Sequence, residues 1–460
     1  SLMMIKSSDF GQNMTQKHFG TEGIRGRVGE EKITPEFCLR LSWAIGKVFG
    51  QQDRRPHIVI GKDTRISGYM LESVLQSGFV SAGADVSLLG PIPTPAIAYL
   101  TRTVSADVGV VISASHNPFY DNGIKLFDGA GNKLGDALEQ QIEAMIEAPM
   151  VCQDSENLGK AKRIADATGR YVEFCKNSVP KGFSLRGMKI VLDCAHGATY
   201  QVAPQVFSEL GAEVVVMAAD PDGFNINKNC GSTHPEQLQQ RVIEEAADIG
   251  IAFDGDGDRL VMVNANGELL DGDHLLYVIT QNRLAREAMH GGVVGTVMSN
   301  LGLEQALKEL AVPFLRAQVG DRHIMEALHQ RQWVLGGEPS GHILTLDLCS
   351  TGDAIVAGLQ VLLAMQDADV SLHDLASGLT KAPQVLVNVV VNSPAEISRH
   401  PDMLKATANY EHELADRGRI LVRPSGTEPL LRIMVEGEDE SEVTRIADDL
   451  ADHAKSIEAA

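Results

Sequence analysis

The feature that most constrains the fold is a recurring pattern of short apolar strands, each followed by a polar or glycine-rich loop, with helix-like segments between them. Such strands are predicted in three groups, at 57–61, 85–90 and 107–113, then 188–194, 212–218 and 248–254, then 291–298, 314–320 and 333–337. Strands that alternate with amphipathic helices form α/β units with mostly parallel sheets. We therefore predict an α/β protein with mixed, mostly parallel sheets.

Two of these strands match each other without a gap. ADVGVVIS occupies 106–113 and ADIGIAFD occupies 247–254, and in this register Ser115 falls on Asp256. Binding loops of parallel sheets lie at the carboxyl ends of their strands. Two successive α/β units are therefore predicted to carry polar loops at equivalent positions.

The C-terminal part of the chain has a different pattern. The strand-like stretches QVLVNVVVN, RILVRPSGTEP and LLRIMVEG are accompanied by helical segments near 401–416 and 439–457. This pattern is typical of a small, separate α+β domain. The predicted domains are 14–160, 161–268, 269–380 and 381–460.

Composition and charge restrict the classes of partner. The 460 residues carry a formal net charge of −21, a field that repels nucleic-acid backbones, so no nucleic-acid partner is expected. No run of about 18 apolar residues predicts a membrane span. The first residues lack the apolar core of a signal peptide, and Met14 is as plausible a start as Met3 or Met4. The six cysteines show no CxxC or zinc spacing, which indicates free, reduced thiols and a cytoplasmic protein.

The stretch FDGDGDRL predicts a metal site. Asp254, Asp256 and Asp258 alternate with glycines after an apolar strand. Alternation along an extended segment would direct all three carboxylates to one side, and hard oxygen ligands suit Mg²⁺ or Ca²⁺. An EF-hand is excluded because its sixth and twelfth positions would be Arg259 and Ala265 instead of Gly and Glu. The alternative is a solvated acidic turn, which mutual repulsion of the carboxylates disfavours.

The stretch VVISASHNPFYDNGIKLF, from Val110 to Phe127, contains two candidate nucleophiles, Ser113 and Ser115. The GxSxG pattern of a nucleophile elbow is absent around both, and Ser340 in GGEPSGH has a different spacing, so acyl transfer is poorly supported. A serine that faces Mg²⁺ is instead suited to carry a phosphoryl group. The alternative for either serine is a turn or cap residue.

RPSGTEP is a candidate phosphate-binding loop. Arg423, Ser425 and Thr427 surround Gly426, and the successive backbone N–H groups could cradle a phosphate that the arginine binds in a fork. The alternative is a glycine turn between strands. No Walker A or GxGxxG fingerprint occurs, so a nucleotide is not indicated. Two further Gly/Arg loops of low individual specificity are GTEGIRG at 20–26 and GKDTR at 61–65.

Other polar residues suit a sugar. GGEPSGHI places Glu338, Ser340 and His342 on one loop, where donors and acceptors suit sugar hydroxyls, although His342 could be a structural histidine. VGDRH adds Arg322, and NGIK adds Lys125, which could act as a general acid or base or contact a phosphate.

The four loops SASHNP, DGDGDR, GEPSGH and RPSGTEP occur in this order and together resemble those of the α-D-phosphohexomutase superfamily, from about residue 18 to 457. Within that superfamily the chain is most similar to the branch that acts on phosphorylated glucosamine. The stretches that carry this similarity are FGTEGIRGRVGEEKITPEF, GKDTRISGYMLES, ISASHNPFYDNGIKLF, IAFDGDGDR and SGTEPLLRIMVEGED.

The resemblance implies roles for individual residues. Ser115 corresponds to the family's phosphoserine, and its phosphate together with Asp254, Asp256 and Asp258 would hold one Mg²⁺ per subunit. Positions near the transferring phosphoryl group are Arg25, Lys125, His116 and Arg259. Glu338 and Ser340 correspond to the family's sugar-specificity loop, which His342 follows, and Arg423, Ser425, Gly426 and Thr427 correspond to the loop that binds the other phosphate. Mild departures from the family pattern are His196, His323 and Pro339, of which Pro339 could stiffen the sugar loop.

The resemblance also implies a fold and a reaction. The fold would be three similar α/β domains plus a C-terminal α+β domain, arranged around a central active-site cleft over which the C-terminal domain closes. Phospho-Ser115 would convert glucosamine 6-phosphate to the 1,6-bisphosphate, which turns around and returns a phosphate to release glucosamine 1-phosphate for UDP-N-acetylglucosamine synthesis. A homodimer is the implied assembly.

Three alternatives remain open from the residues alone. A phosphomannomutase or phosphoglucomutase would use the same mechanism, because nothing in the motifs distinguishes an amine from a hydroxyl at C2. A Mg²⁺-dependent phosphatase would let water replace the returning sugar. A Ca²⁺- or sugar-binding module would leave Ser115 unmodified.

Overall fold

A computed structural model describes residues 18–50, 53–425 and 428–460. Its contacts divide the chain into two compact units. The first runs to Val263 and includes Thr345–Gly358, and the second comprises Asn264–Leu344 and Leu359–Ala460. In the described part of the chain, every helix is too short or too polar to span a membrane.

The first α/β domain surrounds a mixed sheet. Its elements are β1 (Ile24–Arg27), α1 (Pro35–Phe49), β2 (His57–Lys62), α2 (Ile66–Ser81), β3 (Asp85–Pro91), α3 (Thr94–Thr103), β4 (Val108–Ile112), β5 (Asp121–Asp128), α4 (Asp136–Ile146) and β6 (Ala161–Arg163). The strand order is β1–β5–β4–β2–β3–β6, in which β2, β3, β4 and β6 run parallel and β5 runs antiparallel to β4 and β1. The apolar, fully buried β4 is typical of a strand covered on both faces.

The second α/β domain has a shorter sheet. Its elements are α5 (Ala167–Lys176), β7 (Lys189–Asp193), α6 (Val202–Glu209), β8 (Glu213–Met217), α7 (Glu236–Glu244), β9 (Ile249–Phe253), β10 (Leu260–Asn264) and the short β11 (Leu269–Leu270). The sheet contains the order β10–β9–β7–β8, and β7 runs parallel to both β8 and β9. Every residue of β9 is buried, as in β4.

The third α/β domain repeats this arrangement. Its elements are α8 (Gly272–Ala285), β12 (Val293–Thr296), α9 (Leu301–Glu309), β13 (Phe314–Ala317), α10 (Asp321–Arg331), β14 (Leu335–Gly337) and β15 (Ile343–Thr345), followed by α11 (Ala354–Ala368) and α12 (Leu372–Ala376). The strand order is β13–β12–β14–β15, and β12 runs parallel to β13 and β14. The predicted strands at 291–298 and 314–320 are longer than the observed ones because their ends turn into loops.

The three α/β sheets share one topology. The strand orders β5–β4–β2–β3, β10–β9–β7–β8 and β15–β14–β12–β13 correspond strand for strand. The predicted serine loop follows β4, the aspartate loop follows β9, and the candidate sugar loop follows β14. Each loop thus follows the corresponding strand of its own domain. The prediction of three similar α/β domains is confirmed.

The C-terminal domain is an antiparallel α+β structure, as predicted. Its elements are β16 (Gln384–Val390), α13 (Pro394–Arg399), α14 (Pro401–Leu414), β17 (Gly418–Pro424), β18 (Leu430–Gly437) and α15 (Glu440–Ala459). The central strand β18 pairs antiparallel with both β16 and β17. One face of α15 supplies buried apolar side chains to the core under this sheet.

Candidate active site

Ser115 lies in the loop after β4 and is almost fully buried. Its φ of +53° is in the left-handed region, which residues other than glycine seldom adopt. Its Oγ donates a hydrogen bond to Oδ2 of Asp254 at 2.6 Å, and its backbone N–H donates to Oγ of Ser113 at 2.9 Å. A Cβ on Gly255 would lie 2.5 Å from the Ser115 carbonyl oxygen, so glycine is required for this close approach. The strained backbone therefore holds the hydroxyl against the aspartate loop.

A buried arginine from the GKDTR motif clamps the serine loop. Arg65 is fully buried, and its Nε donates to Oδ2 of Asp63 at 2.8 Å. Its two terminal nitrogens donate to the backbone carbonyls of Ser115 at 2.9 Å, Asn117 at 3.0 Å, Asp121 at 3.1 Å, and Pro118. Asn227 adds a side-chain N–H to the Ser115 carbonyl at 2.9 Å. These contacts fix the backbone that presents the serine.

The three aspartates converge through a tight turn instead of the extended segment that we predicted. The Gly257 N–H donates to the Asp254 carbonyl at 3.2 Å, and Gly257 has a φ of +74°. Oxygen atoms of Asp254, Asp256 and Asp258 all lie within 4.8 Å of one another. The convergence was predicted correctly, but its cause is the chain reversal that glycine permits, not strand alternation.

The carboxylate cluster fits a divalent cation. Burial, together with the charges of Asp258 and Asp256, raises the pKa of Asp254 well above its usual range. Burial opposes ionisation of Asp256 too, but the Lys125 ammonium and hydrogen bonds lower its pKa overall. Thr94 donates to Oδ2 of Asp256 at 2.6 Å, whereas Oδ1 is buried and has no hydrogen-bond partner among the described residues. A hard cation would give that oxygen a partner and relieve the repulsion.

Basic side chains surround the serine and the aspartates. Arg25 pairs with Gly123 across β1 and β5, which places Arg25 and Lys125 on the same face of the sheet. The Lys125 Nζ lies 3.4 Å from Oδ2 of Asp256. Burial alone would lower the pKa of Lys125, but the carboxylates of Asp256 and Asp258 raise it overall. Lys125 is therefore a stable cation in this site.

His116 is electrically neutral at neutral pH. Burial, with the positive charges of Arg259 and Arg25, lowers its pKa to about 4. Nη1 of Arg259 lies 3.3 Å from Nδ1 of His116. Because a guanidinium only donates hydrogen bonds, Nδ1 is the acceptor and Nε2 carries the proton. His116, the residue that follows Ser115 in the chain, is thus a neutral N–H donor.

The second unit contains the candidate sugar loop. Glu338 is buried, and its Oε1 accepts a hydrogen bond from the Gly320 N–H at 3.3 Å. His342 is also buried, and its Nε2 lies 2.8 Å from Oδ1 of Asp321. Ser340 is exposed at the tip of the loop. In this loop Ser340 is therefore exposed, whereas Glu338 and His342 are buried and contact Gly320 and Asp321 at the start of α10.

The remaining predicted residues of the second unit lie on β17 and on α10. Arg423 is half-buried on β17, and Ser425 follows that strand, where its Oγ accepts the Glu428 N–H at 3.2 Å. Arg322 forms an ion pair with Glu326 at 3.2 Å along α10. Gly426 and Thr427 lie outside the described residues.

Sequence reasoning missed several residues of the site in the first unit. Glu22 forms an ion pair with Arg25 at 2.8 Å, and Thr94 binds Asp256 through both its hydroxyl and its backbone N–H. Both Glu22 and Arg65 lie in motifs that the sequence analysis singled out, so a signal existed for them. Thr94 had none, because only the fold brings the start of α3 to the aspartate loop.

Models of a known protein family match most of the chain. The models of the phosphoglucomutase/phosphomannomutase family match alpha/beta/alpha domain I at residues 16–150, domain II at 169–267, domain III at 271–382 and the C-terminal domain at 386–453. The phosphoglucosamine mutase of Hahella chejuensis is 56% identical over 438 residues, which cover 95% of this chain and 98% of the relative.

Solved structures lead to the same family. A phosphoglucomutase/phosphomannomutase family protein from Burkholderia thailandensis is 26% identical, with a TM-score of 0.79 over 96% of this chain and 98% of that one. The Aspergillus fumigatus N-acetylphosphoglucosamine mutase, solved with GlcNAc-6P and magnesium, shares the fold at 17% identity, with a TM-score of 0.66 over 96% of both chains. The chain therefore belongs to the phosphoglucomutase/phosphomannomutase family of isomerases, in the branch formed by the phosphoglucosamine mutases.

Proposed function

We propose that this enzyme interconverts glucosamine 6-phosphate and glucosamine 1-phosphate through a phosphorylated Ser115. One observation carries the proposal. The buried Ser115 hydroxyl lies 2.6 Å from the Asp254 carboxylate, at the edge of a three-carboxylate cluster that is flanked by basic side chains. Phosphoryl transfer needs a positioned nucleophile and charge neutralisation more than it needs covalent assistance. The family membership of the chain agrees with this chemistry.

Asp254, Asp256 and Asp258 would hold one Mg²⁺ together with an oxygen of the Ser115 phosphate. Three carboxylates leave coordination positions open, as Mg²⁺ sites that serve a phosphate usually do. When bound, the ion would neutralise negative charge on the transferring phosphoryl group. The unpartnered Oδ1 of Asp256 supports this assignment.

The surrounding side chains would stabilise and orient the phosphoryl group. Lys125, Arg25 and Arg259 supply positive charge, and Nε2 of His116 supplies a neutral N–H donor. In the first transfer, the bond from phosphorus to Ser115 Oγ would break as the substrate's C1 hydroxyl oxygen bonds to phosphorus, and the proton of that hydroxyl would end on Ser115 Oγ. The 1,6-bisphosphate then turns around, and the same residues serve the return transfer of the other phosphate to Ser115.

The residues of the second unit would hold the rest of the substrate. We propose that Glu338 and Ser340 bind sugar hydroxyls and that His342 and Arg322 also bind the substrate. The loop at Arg423, Ser425, Gly426 and Thr427 would bind the phosphate that is not reacting. Two phosphate sites are required because the bisphosphate must present either end to Ser115.

Some broader proposals rest on the family resemblance. The product would enter UDP-N-acetylglucosamine synthesis in the cytoplasm, and the enzyme would be a homodimer. The boundaries 14–160, 161–268, 269–380 and 381–460 are likewise proposals.

The test is a side-by-side assay of the phosphorylated protein with Mg²⁺. Conversion of glucosamine 6-phosphate is compared with that of glucose 1-phosphate and mannose 1-phosphate, and release of inorganic phosphate is followed in parallel. We expect a strong preference for the amino sugar and no net phosphate release. A preference for a neutral hexose would assign the enzyme to a phosphoglucomutase or phosphomannomutase function, and steady phosphate release would assign it to a phosphatase function.

A further inference from the structure

The site in the first unit contains the carboxylate of Glu22, which the proposed mechanism does not use. Oε2 of Glu22 lies 2.8 Å from Nη1 of Arg25, and Oε1 lies 3.7 Å from Nη2 of Arg259. The Glu22 side chain is 38% exposed, so it can still meet a ligand. Burial would raise the pKa of Glu22, but the positive charges of Arg25, Lys125 and Arg259 lower it overall. Glu22 is therefore a fixed negative charge among the cations that would bind phosphate.

The Glu22 loop is closed by backbone hydrogen bonds and packs against β5. Gly20 and Gly23 exchange backbone hydrogen bonds of 2.9 and 3.3 Å across the loop. Gly23 has a φ of +79°, and a Cβ there would lie 2.4 Å from the carbonyl oxygen of Ile124 on β5. The loop thus packs directly against the residue that precedes Lys125. The Glu22 carboxylate is placed in the site by its ion pairs with Arg25 and Arg259.

A negative charge in this position favours a substrate that carries a positive charge. The substrate and the phosphoserine are both anionic, so a nearby carboxylate weakens their binding. An amino sugar carries an ammonium group at neutral pH, whereas glucose and mannose carry only a hydroxyl at C2. We propose that Glu22 binds the C2 ammonium group and thereby selects amino sugars over neutral hexoses. This inference rests on the proposed function and names the residue that gives it its specificity.

The chemistry of the sugar ring predicts that Glu22 contributes differently to the binding of glucosamine 6-phosphate and of glucosamine 1-phosphate. C2 is bonded to C1, so the amine lies beside the anomeric oxygen. The amine therefore approaches Ser115 only when the C1 hydroxyl faces it, which is how glucosamine 6-phosphate binds the phosphoenzyme. Glucosamine 1-phosphate binds with its C6 hydroxyl at Ser115 and its amine at the far end. Loss of Glu22 should therefore raise the KM for glucosamine 6-phosphate more than the KM for glucosamine 1-phosphate.

A purely structural role for Glu22 makes a different prediction. If Glu22 only orients Arg25 and Arg259, its replacement must impair amino sugars and neutral hexoses alike, because both arginines would serve the phosphate of either substrate. The ratio of kcat/KM values for the two sugar classes therefore separates amine recognition from arginine positioning.

The experiment uses the full-length, phosphorylated enzyme with Mg²⁺ and compares Glu22→Gln with the wild type. Glu22→Gln keeps the size and the acceptor oxygen but removes the charge, and Glu22→Asp keeps the charge at a shorter reach. Glu30→Gln is the matched control, because Glu30 follows β1, the strand that Glu22 precedes. Glu30 pairs only loosely with the exposed Arg27, at 3.8 Å. kcat/KM is measured for glucosamine 6-phosphate and glucose 6-phosphate, with the phosphorylation level checked by mass spectrometry.

We expect Glu22→Gln to lower the preference for the amino sugar by about tenfold or more, the usual size of a lost charge-assisted hydrogen bond. Glu22→Asp should recover part of that preference, and Glu30→Gln should leave it unchanged. An unchanged preference in Glu22→Gln, or an equal loss on both sugars, would overturn the inference.

The wild-type arm of the same experiment tests the proposed function separately. If the wild type converts neither sugar, the proposed function fails. Calorimetric titration with glucosamine 6-phosphate and glucose 6-phosphate then still tests the inference. A Glu22-dependent preference for the amino sugar in binding would support amine recognition, and its absence would overturn it.

Discussion

Ser115 combines an unusual backbone conformation with an unusual partner. Its left-handed φ of +53° is unfavourable for a residue with a Cβ, and its hydroxyl is directed at a carboxylate whose pKa is raised by burial and by its acidic neighbours. A serine that only closed a turn could share the left-handed φ, as Ser105 does, but would not need the carboxylate partner. The geometry is the one expected of a group that carries charge next to a cation.

Ser115→Ala should reduce turnover by about a thousandfold or more, because the phosphoryl acceptor is lost. The fold should remain intact, since alanine keeps the Cβ and every backbone contact of the loop. Steady-state turnover and thermal unfolding provide the measurements. Ser77→Ala is the control, because Ser77 is exposed on α2 and its hydroxyl bonds only to the carbonyl of Ser73. Turnover of Ser115→Ala near that of the control would rule out the phosphoserine role.

Asp256→Asn should weaken the response of the enzyme to Mg²⁺. The amide keeps an oxygen for the Thr94 hydroxyl but removes the charge that we assign to the ion, so the half-saturating Mg²⁺ concentration should rise by about tenfold or more. Direct titration calorimetry with Mg²⁺ checks binding without relying on activity. Asp452→Asn, on the exposed face of α15, serves as the control. An unchanged Mg²⁺ affinity in Asp256→Asn would remove Asp256 from the ligand set.

Residues of the site differ in how far the sequence reveals them. Ser115 and the aspartates were predictable because each occupies a short motif whose chemistry is local. For Glu22 the motif GTEGIRG gave only a partial signal, since it shows a carboxylate but not the arginine from a distant loop that Glu22 approaches. The neutral state of His116 was equally hidden, because it depends on burial and on charges that only the fold brings together.

At the level of elements, the serine loop depends on Arg65 for its shape. Arg65→Met should destabilise the protein by about 3–5 kcal/mol, because it leaves the Asp63 carboxylate buried without its ion pair. It also leaves the loop carbonyls without their donor. Urea unfolding measures the change, and Arg65→Lys should recover only part of the loss because an ammonium cannot reproduce the fork. A loss of unfolding free energy below about 1 kcal/mol would mean that the serine loop keeps its conformation without Arg65.

The unfolding free energy of the protein should depend on pH through Asp353, which lies at the start of α11. The Asp353 side chain accepts hydrogen bonds from the Val356 N–H at 3.0 Å and from the Tyr171 hydroxyl at 2.7 Å. Burial raises the pKa of Asp353 to about 6 from an ordinary value of 3.8. A raised pKa means that the protonated form is favoured in the folded state. The stability that it contributes is fully present below about pH 4 and is lost as the pH rises through about 6.

Asp353→Asn should therefore gain stability relative to the wild type as the pH increases. The amide has no charge to bury, so the difference in unfolding free energy should grow by about 1–3 kcal/mol between pH 4.5 and 7.5. Urea unfolding across this range, with the exposed Asp452→Asn as a reference, provides the measurement. A difference that stays constant with pH would show that Asp353 has the same pKa in the folded and unfolded states.

The sequence pattern predicted elements better than it predicted turns. The match of ADVGVVIS with ADIGIAFD predicted that β4 and β9 are equivalent, and both occupy the same place in their sheets. The geometry of the aspartate loop was predicted wrongly, because alternation of Asp and Gly suits an extended strand as well as a turn. The positive φ of Gly257 decides between them, and that angle depends on the packing of the loop.

At the level of the whole molecule, the net charge of −21 conceals a local excess of positive charge. The charge of the chain predicts no nucleic-acid partner but does not exclude a small anion, and Arg25, Lys125 and Arg259 lie in one site. The sequence alone does not show which of the two compact units contains which part of the proposed site. The proposed phosphoryl-transfer residues lie in the first unit, and the candidate sugar and distal-phosphate residues lie in the second.

This division can be tested by hydrogen exchange. Mg²⁺ alone should slow exchange at 113–117 and 253–260, because a bound ion stabilises the state in which these two loops are closed. It should leave the candidate sugar loop at 335–343 unchanged, since none of the proposed metal ligands lies in that unit. Glucose 1,6-bisphosphate added with Mg²⁺ should slow exchange at both places. Protection of 335–343 by Mg²⁺ alone would mean that the ion orders the sugar loop directly, and the assignment of separate roles to the two units would be wrong.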